Sequence, residues 1–213
     1  MEEDIYITHP AIEKYLDGLL PEREPWFFEM ERMAEEKNFP AVGPQVGLLL
    51  EILARSIGAK RILELGSGFG YSGLWFSRAL PADGFIVLSD FEEANRKLAE
   101  GYFRQAGKAH MMEFRVGDAL GLLEQQVEGS FDIVFNDIDK EFYPAVIEPV
   151  YRVLRKGGLF IADNTLWDGK VAHSKRDQVA QSVHEFNCRL KEHVGFSTIQ
   201  LPLRDGVSVS IKK

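Results

Sequence analysis

RILELGSGFGYSGLWFSRAL, residues 61–80, reads as a short apolar strand, a glycine-rich turn and a helix. Gly66, Gly68 and Gly70 are spaced G-x-G-x-G, which permits a tight turn and lets backbone approach a ligand closely. The alternation continues outward. GFIVLSD, MMEFRVG, FDIVFND and GLFIADN have strand character, and EEANRKLAEGYFRQAG, DALGLLEQQV and KEFYPAVIEPVYRVLR have helical character. KRDQVAQSVHEFNCRLKEH is a further helix, and FSTIQLPL and GVSVSIK form a hairpin around RDG. Strands alternating with helices predict a mostly parallel sheet covered on both faces.

The expectation is therefore an α/β, Rossmann-like, doubly wound fold with a seven-stranded, mostly parallel sheet and an N-terminal helical extension. HPAIEKYLDGLL, PWFFEMERMAEEKNF and PQVGLLLEILARSIG supply that extension as three helices. No Gly/Ser-rich linker follows them. Residues 1–58 are thus expected to pack on the same domain as residues 59–213.

Composition narrows the function classes. The chain has 213 residues, 45% hydrophobic and 27% charged, a globular balance. A net charge of −8 argues against a nucleic-acid surface and against a polybasic membrane patch. Cys188 is the only cysteine, so no intrachain disulfide forms. MEEDIYITHP lacks the basic start and apolar core of a signal peptide, and Glu51 interrupts the apolar run VGLLLEILA. A cytoplasmic protein is expected.

Parallel sheets of this kind bind ligands outside the carboxyl ends of their strands. The unusual polar residues fall there. Glu64 stands just before the glycine turn, and Asp90 ends the second strand, where an acid can accept from ribose hydroxyls. Asp118 follows the third strand and suits either an adenine amino group or a helix N-cap. A glycine turn can also be a turn with no ligand. A nicotinamide dinucleotide is the first rival, but its fingerprint is G-x-G-x-x-G, and no phosphate-loop lysine is present. An adenosine ligand without phosphates fits better. Two further strands break into FNDIDKEFY and ADNTLWDG, which put Asn136, Asp137, Asp139, Lys140, Asp163 and Asn164 at strand ends. The histidines at 9, 110, 173, 184 and 193 form no metal-ligand spacing, and only His173 is a candidate to border a substrate.

ILELGSGFGYSGLWFSRAL resembles motif I of class I S-adenosylmethionine-dependent methyltransferases. The run from AKRILELG to DGVSVS resembles the cation-dependent O-methyltransferases, the group containing caffeoyl-coenzyme A and catechol O-methyltransferases. FDIVFNDIDKEFY resembles that family's D-x-D-K-x-x-Y signature, and GGLFIADNTLWDGKV its D-N-T-L-W-x-G-x-V signature. The resemblance implies that Asp137, Asp163 and Asn164 bind a divalent cation. It implies that Glu64, Gly66, Ser67, Gly68, Tyr71, Ser72, Asp90, Asp118, Ala119 and Asp137 form the S-adenosylmethionine site. It further implies that Trp167 borders the acceptor, with a core tryptophan as the other reading, and that the chain forms a homodimer.

The chemistry of the residues agrees with a cation. Two carboxylates and an amide are hard oxygen ligands, suited to magnesium, manganese or calcium. The same residues could instead be helix caps or turn residues. Lys140, three residues after Asp137, is the candidate general base; its other reading is a helix-start lysine paired with Asp139 or Glu141. The expected reaction moves the methyl of S-adenosylmethionine to a hydroxyl of a small catechol-like phenol. The alternative is a non-catalytic S-adenosylmethionine-binding regulatory module. Two features depart from the family: Asn136 stands where an apolar residue is usual, and the N-terminal helices match poorly.

Overall fold

The computed structural model describes residues 5–213. The expectation about a signal peptide rests partly on residues 1–4, outside the described residues. Seven strands form one sheet: β1 (Arg61–Leu65), β2 (Phe85–Asp90), β3 (Met112–Val116), β4 (Phe131–Asn136), β5 (Leu154–Ala162), β6 (Phe196–Leu201) and β7 (Val207–Lys212). Their order is β3-β2-β1-β4-β5-β7-β6. Strands β1 to β5 pair in parallel, and β7 runs antiparallel to both β5 and β6. The expected seven-stranded α/β architecture is present.

The helices are α1 (Pro10–Asp17), α2 (Pro25–Lys37), α3 (Gly43–Ser56), α4 (Tyr71–Ala79), α5 (Glu93–Gln105), α6 (Ala119–Glu124), α7 (Tyr143–Val153) and α8 (Gln178–Glu192). Side chains alternate along each strand, so each face of the sheet has its own core. On one face Ile62, Ile86, Ile133, Phe135 and Ile161 meet Leu50 of α3, Leu74 and Trp75 of α4, and Phe103 of α5. On the other, Leu63, Leu65, Val134 and Phe160 meet Leu123 of α6, Val146 and Val150 of α7, and Phe186 of α8. Phe27 of α2 packs on Trp75, with ring centroids 4.6 Å apart, which carries the N-terminal helices into the first core. Burying one such ring contributes on the order of 2 kcal/mol.

Two boundaries differ from the sequence reading. The helix expected from Lys140 starts instead with a 3-10 turn, Lys140–Phe142, and becomes α7 at Tyr143. Pro144 then lies at its first positions, where a missing N–H costs nothing. Leu154 and Arg155, expected in that helix, open β5 instead, because Leu154 turns to extended backbone. No helix among the described residues is long and apolar enough to cross a membrane.

The strand order changes direction at β1. The chain builds outward through β2 and β3, then returns to add β4 on the other side of β1. The carboxyl ends of β1 and β4 therefore flank the switch point where such sheets bind ligands.

Glu64, within β1, is fully buried. Its carboxylate accepts from the Ser72 hydroxyl, while its other oxygen has no partner. Burial pushes its pKa up to about 8, against a smaller opposing effect from Ser72. In the unfolded chain it ionises near ~4.3. Between those values the folded chain holds the extra proton, so this contribution is full below the lower value and declines as pH rises towards the upper one. Glu64→Gln removes that decline. Urea midpoints should show the variant gaining on wild type from about pH 5 to about pH 8, by at most ~1.4 kcal/mol per pH unit. Parallel profiles would contradict the assignment.

Candidate active site

A cleft of ≈ 1120 Å³ opens over the carboxyl ends of β1 and β4. Its floor is the turn after β1. Gly66 has φ +79°, and a Cβ there would stand 2.4 Å from the Asp137 carbonyl oxygen. Only glycine lets this turn lie against the end of β4. Ser67 ties the turn to β2: its hydroxyl donates to the Ser89 carbonyl at 3.1 Å and accepts from the Ser89 N–H at 2.8 Å.

Asp90 is held at one wall. Its Oδ2 accepts from the Gly68 N–H at 3.0 Å, and its Oδ1 accepts from the Glu92 N–H at 2.8 Å and from Asn95 Nδ2 at 2.9 Å. A carboxylate has about four acceptor positions, so Asp90 keeps room for a ligand hydroxyl in a fixed orientation. Tyr71 donates to Glu31 Oε1 at 2.6 Å, and Glu31 accepts a fork from Arg23 at 3.2 and 2.7 Å. Burial first, then the hydrogen bond to Glu31 and its charge, raises the Tyr71 phenol above its ordinary range. Arg23, Glu31 and residues 41–44 line the cleft, so the N-terminal segment forms part of its wall.

The opposite wall carries the two polar strand ends. Asn136 pairs with Ala162 in the β4–β5 ladder, so Asp137 and Asp163 leave the sheet side by side. The ladder runs on past both strands: the Asp137 N–H donates to the Leu65 carbonyl at 2.8 Å, and the Asp163 N–H to the Asn136 carbonyl at 3.2 Å. Tyr143 donates to the Asp163 carbonyl at 2.9 Å. Asp163 is only 4% exposed, and its Oδ1 has no partner. Burial, then repulsion from Asp137, pushes its pKa up to about 8. Burial raises Asp137 too, opposed by the Lys140 charge.

Lys140 does not pair with Asp139 or Glu141. Its Nζ donates to Asp137 Oδ1 at 2.7 Å and to the Ile138 carbonyl at 3.2 Å. Asn164 sits at φ +52° and donates its Nδ2 to Asp205 Oδ2 at 3.1 Å. An ionised carboxylate only accepts, so this bond assigns the amide and leaves Asn164 Oδ1 as the atom that could serve a cation. Asp205 also accepts from the Asp168 N–H at 2.5 Å. Asp205 was not singled out in the sequence. It lies in the β6–β7 turn, far along the chain from Asn164, and no local pattern marks it.

Among the described residues, no group of three or more His, Cys, Asp or Glu side chains could hold a metal. Asp137, Asp163 and Asn164 are two carboxylates and an amide, a different donor set. It fits a hard divalent cation: Asp163 is buried with an unpartnered Oδ1, and the Asp137 carboxylate beside it repels it.

The cleft gathers Gly66, Ser67, Gly68, Tyr71, Ser72, Asp90, Ala119, Asp137, Lys140, Asp163 and Asn164 from the expected set. Three expected residues lie off it. Glu64 points into the core beneath the turn, because alternate residues of β1 face that layer. Asp118 is the N-cap of α6, accepting from the Gly121 N–H at 2.7 Å, and lines a smaller adjoining pocket. Trp167 is half-buried at φ +45°, with Lys170 Nζ 5.7 Å from its ring; its neighbour Asp168 reaches the cleft instead. Asn136 is fully buried on the α7 face, and neither side-chain polar atom has a partner.

Known proteins resemble this chain over nearly its whole length. A catechol O-methyltransferase from Niastella koreensis is 31% identical over 214 residues, spanning 95% of this chain and 97% of that protein. A caffeoyl-CoA O-methyltransferase from Zea mays is 34% identical, spanning 91% of this chain and 81% of that one. The O-methyltransferase TomG from Streptomyces achromogenes, solved in complex with SAM, superposes with a TM-score of 0.84 at 29% identity, covering 100% of this chain and 99% of that one. The O-methyltransferase family profile matches residues 25–213. The chain belongs to the O-methyltransferase family and is an enzyme of that class.

Proposed function

We propose that this enzyme moves the methyl group of S-adenosylmethionine to a hydroxyl of a catechol-like vicinal diphenol, with a divalent cation held by Asp137, Asp163 and Asn164. The observation that carries the reading is the adjacent pair of carboxylates, Asp137 partly buried and Asp163 buried with an unpartnered oxygen, in the same cleft as the glycine turn. Relatives named for catechol and caffeoyl-CoA support the acceptor class. The SAM complex of TomG supports the donor.

The cation supplies positive charge that lowers the pKa of an adjacent acceptor hydroxyl. The chain's residues do the rest. The glycine turn, Tyr71 and Asp90 hold the donor so that its methyl faces the acceptor wall. Holding oxygen and methyl at attack distance is much of the acceleration. The acceptor oxygen forms the new bond to the methyl carbon, and the carbon–sulfur bonding pair returns to sulfur, which loses its positive charge. Lys140, in its neutral amine form, takes the hydroxyl proton at Nζ beside Asp137 as attack begins.

Two outcomes test this reading. Chelator should abolish methyl transfer to a simple catechol, and magnesium or manganese should restore it. Asp163→Ala should lose activity while keeping affinity for S-adenosylhomocysteine. Full turnover by metal-free protein would contradict the cation's role. Lys140→Ala should lower kcat by roughly 10²- to 10⁴-fold at neutral pH, and the deficit should shrink as pH rises and solvent ionises the phenol. Lys140→Arg keeps a cation beside Asp137 but is not a base, so it should be as impaired as the alanine variant. A Lys140→Arg enzyme with wild-type kcat would leave only the ion pair with Asp137 as the role of Lys140.

A further inference from the structure

Three cationic side chains line the cleft: Arg23, Lys140 and Arg204. Two are committed. Arg23 forks onto Glu31, and Lys140 is bonded to Asp137. Arg204 makes no hydrogen bond or ion pair with any described residue.

Its backbone is unusual as well. Arg204 has φ +50°, in the turn closed by the bond from the Gly206 N–H to the Leu203 carbonyl at 2.9 Å. That conformation favours glycine, asparagine or aspartate, and a long side chain there is strained. Such strain tends to gather at functional sites. The side chain also has a shaped seat. A Cβ on Gly43 would stand 1.4 Å from Arg204 Nη1, so the guanidinium lies directly on the Gly43 backbone. The next residue, Asp205, orients the Asn164 amide. One turn thus carries both the support of the candidate cation site and a guanidinium without a hydrogen-bond partner, whose charge also bears on Asp163.

Building on the function proposed above, we infer that Arg204 is a specificity-determining residue that selects acceptors bearing a carboxylate on the side of the ring away from the hydroxyl pair. A guanidinium meets a carboxylate through two parallel hydrogen bonds, with both geometry and charge matched. The hydroxyls then face Asp137, Asp163 and Asn164, while the carboxylate faces Arg204. An amine-bearing acceptor, attracted by Glu35 and Asp139 on the cleft wall, is the competing outcome.

The test compares kcat/KM for 3,4-dihydroxybenzoate and caffeate with that for uncharged 4-methylcatechol and for cationic dopamine. It uses wild type, Arg204→Gln and Arg204→Gly. Glycine adopts a positive φ without strain, so the second variant keeps the fold if the first does not. Wild type should favour a carboxylate-bearing acceptor over 4-methylcatechol by about tenfold or more, and both variants should erase most of that ratio through KM. Because the readout is a ratio, a general loss of activity cancels. A ratio unchanged in both variants, or a wild-type preference for 4-methylcatechol or dopamine, would overturn the role of Arg204 and leave the proposed function standing. Failure to methylate any of these diphenols would refute the proposed function and this inference with it.

Discussion

Two carboxylates leave neighbouring parallel strands at the same level, Asp163 buried and Asp137 partly so. The β4–β5 register makes this unavoidable, because Asn136 opposite Ala162 delivers Asp137 and Asp163 together. Charges of the same sign in a desolvated place cost free energy until something opposes them. The surroundings divide that task. Lys140 answers Asp137, Tyr143 pins the Asp163 backbone, and Asp205 accepts from the Asn164 amide nitrogen, which leaves the amide oxygen unused by that bond. Gly66 abuts the Asp137 carbonyl, so the glycine turn and the end of β4 are in direct backbone contact.

Backbone strain is concentrated in the same region. Among the described residues, the non-glycine residues with positive φ are Asn38, Asn164, Trp167, Asp168 and Arg204. All but Trp167 line the cleft, and Trp167 adjoins Asp168. Left-handed backbone at such residues costs on the order of 1 kcal/mol each and persists only where packing imposes it. Here it is imposed by the core beneath: Thr165 and Leu166 donate to the Gly206 and Asp205 carbonyls, which clamps the loop after β5 to the β6–β7 turn. A stable two-faced core thus supports a strained rim, which is where the chemistry is proposed.

Much of this was legible along the chain. Apolar runs ending in FND and ADN marked two strand ends, and G-x-G-x-G marked a third, because sheet periodicity and turn chemistry are local signals. What was not legible depends on distant partners. Arg23, Glu31 and Tyr71 meet only because α2 packs on α4, and Asp205 meets Asn164 only because β7 returns beside β5. Glu64 reads as a site residue in sequence, yet the two-residue period of β1 turns it into the core. Asp118 had two sequence readings, and the cap geometry at Gly121 realises one of them directly.

The central claim is that Asp137, Asp163 and Asn164 hold a divalent cation, and calorimetric titration with manganese tests it most directly. The account predicts one ion per chain at about pH 7 and its loss in Asp163→Ala. Asp163, with its pKa raised to about 8, must give up its proton to become a ligand. Binding measured in buffers of different ionisation enthalpy should therefore release on the order of one proton at about pH 7 and close to none at about pH 9. No saturable binding, or binding that Asp163→Ala leaves unchanged, would contradict the account.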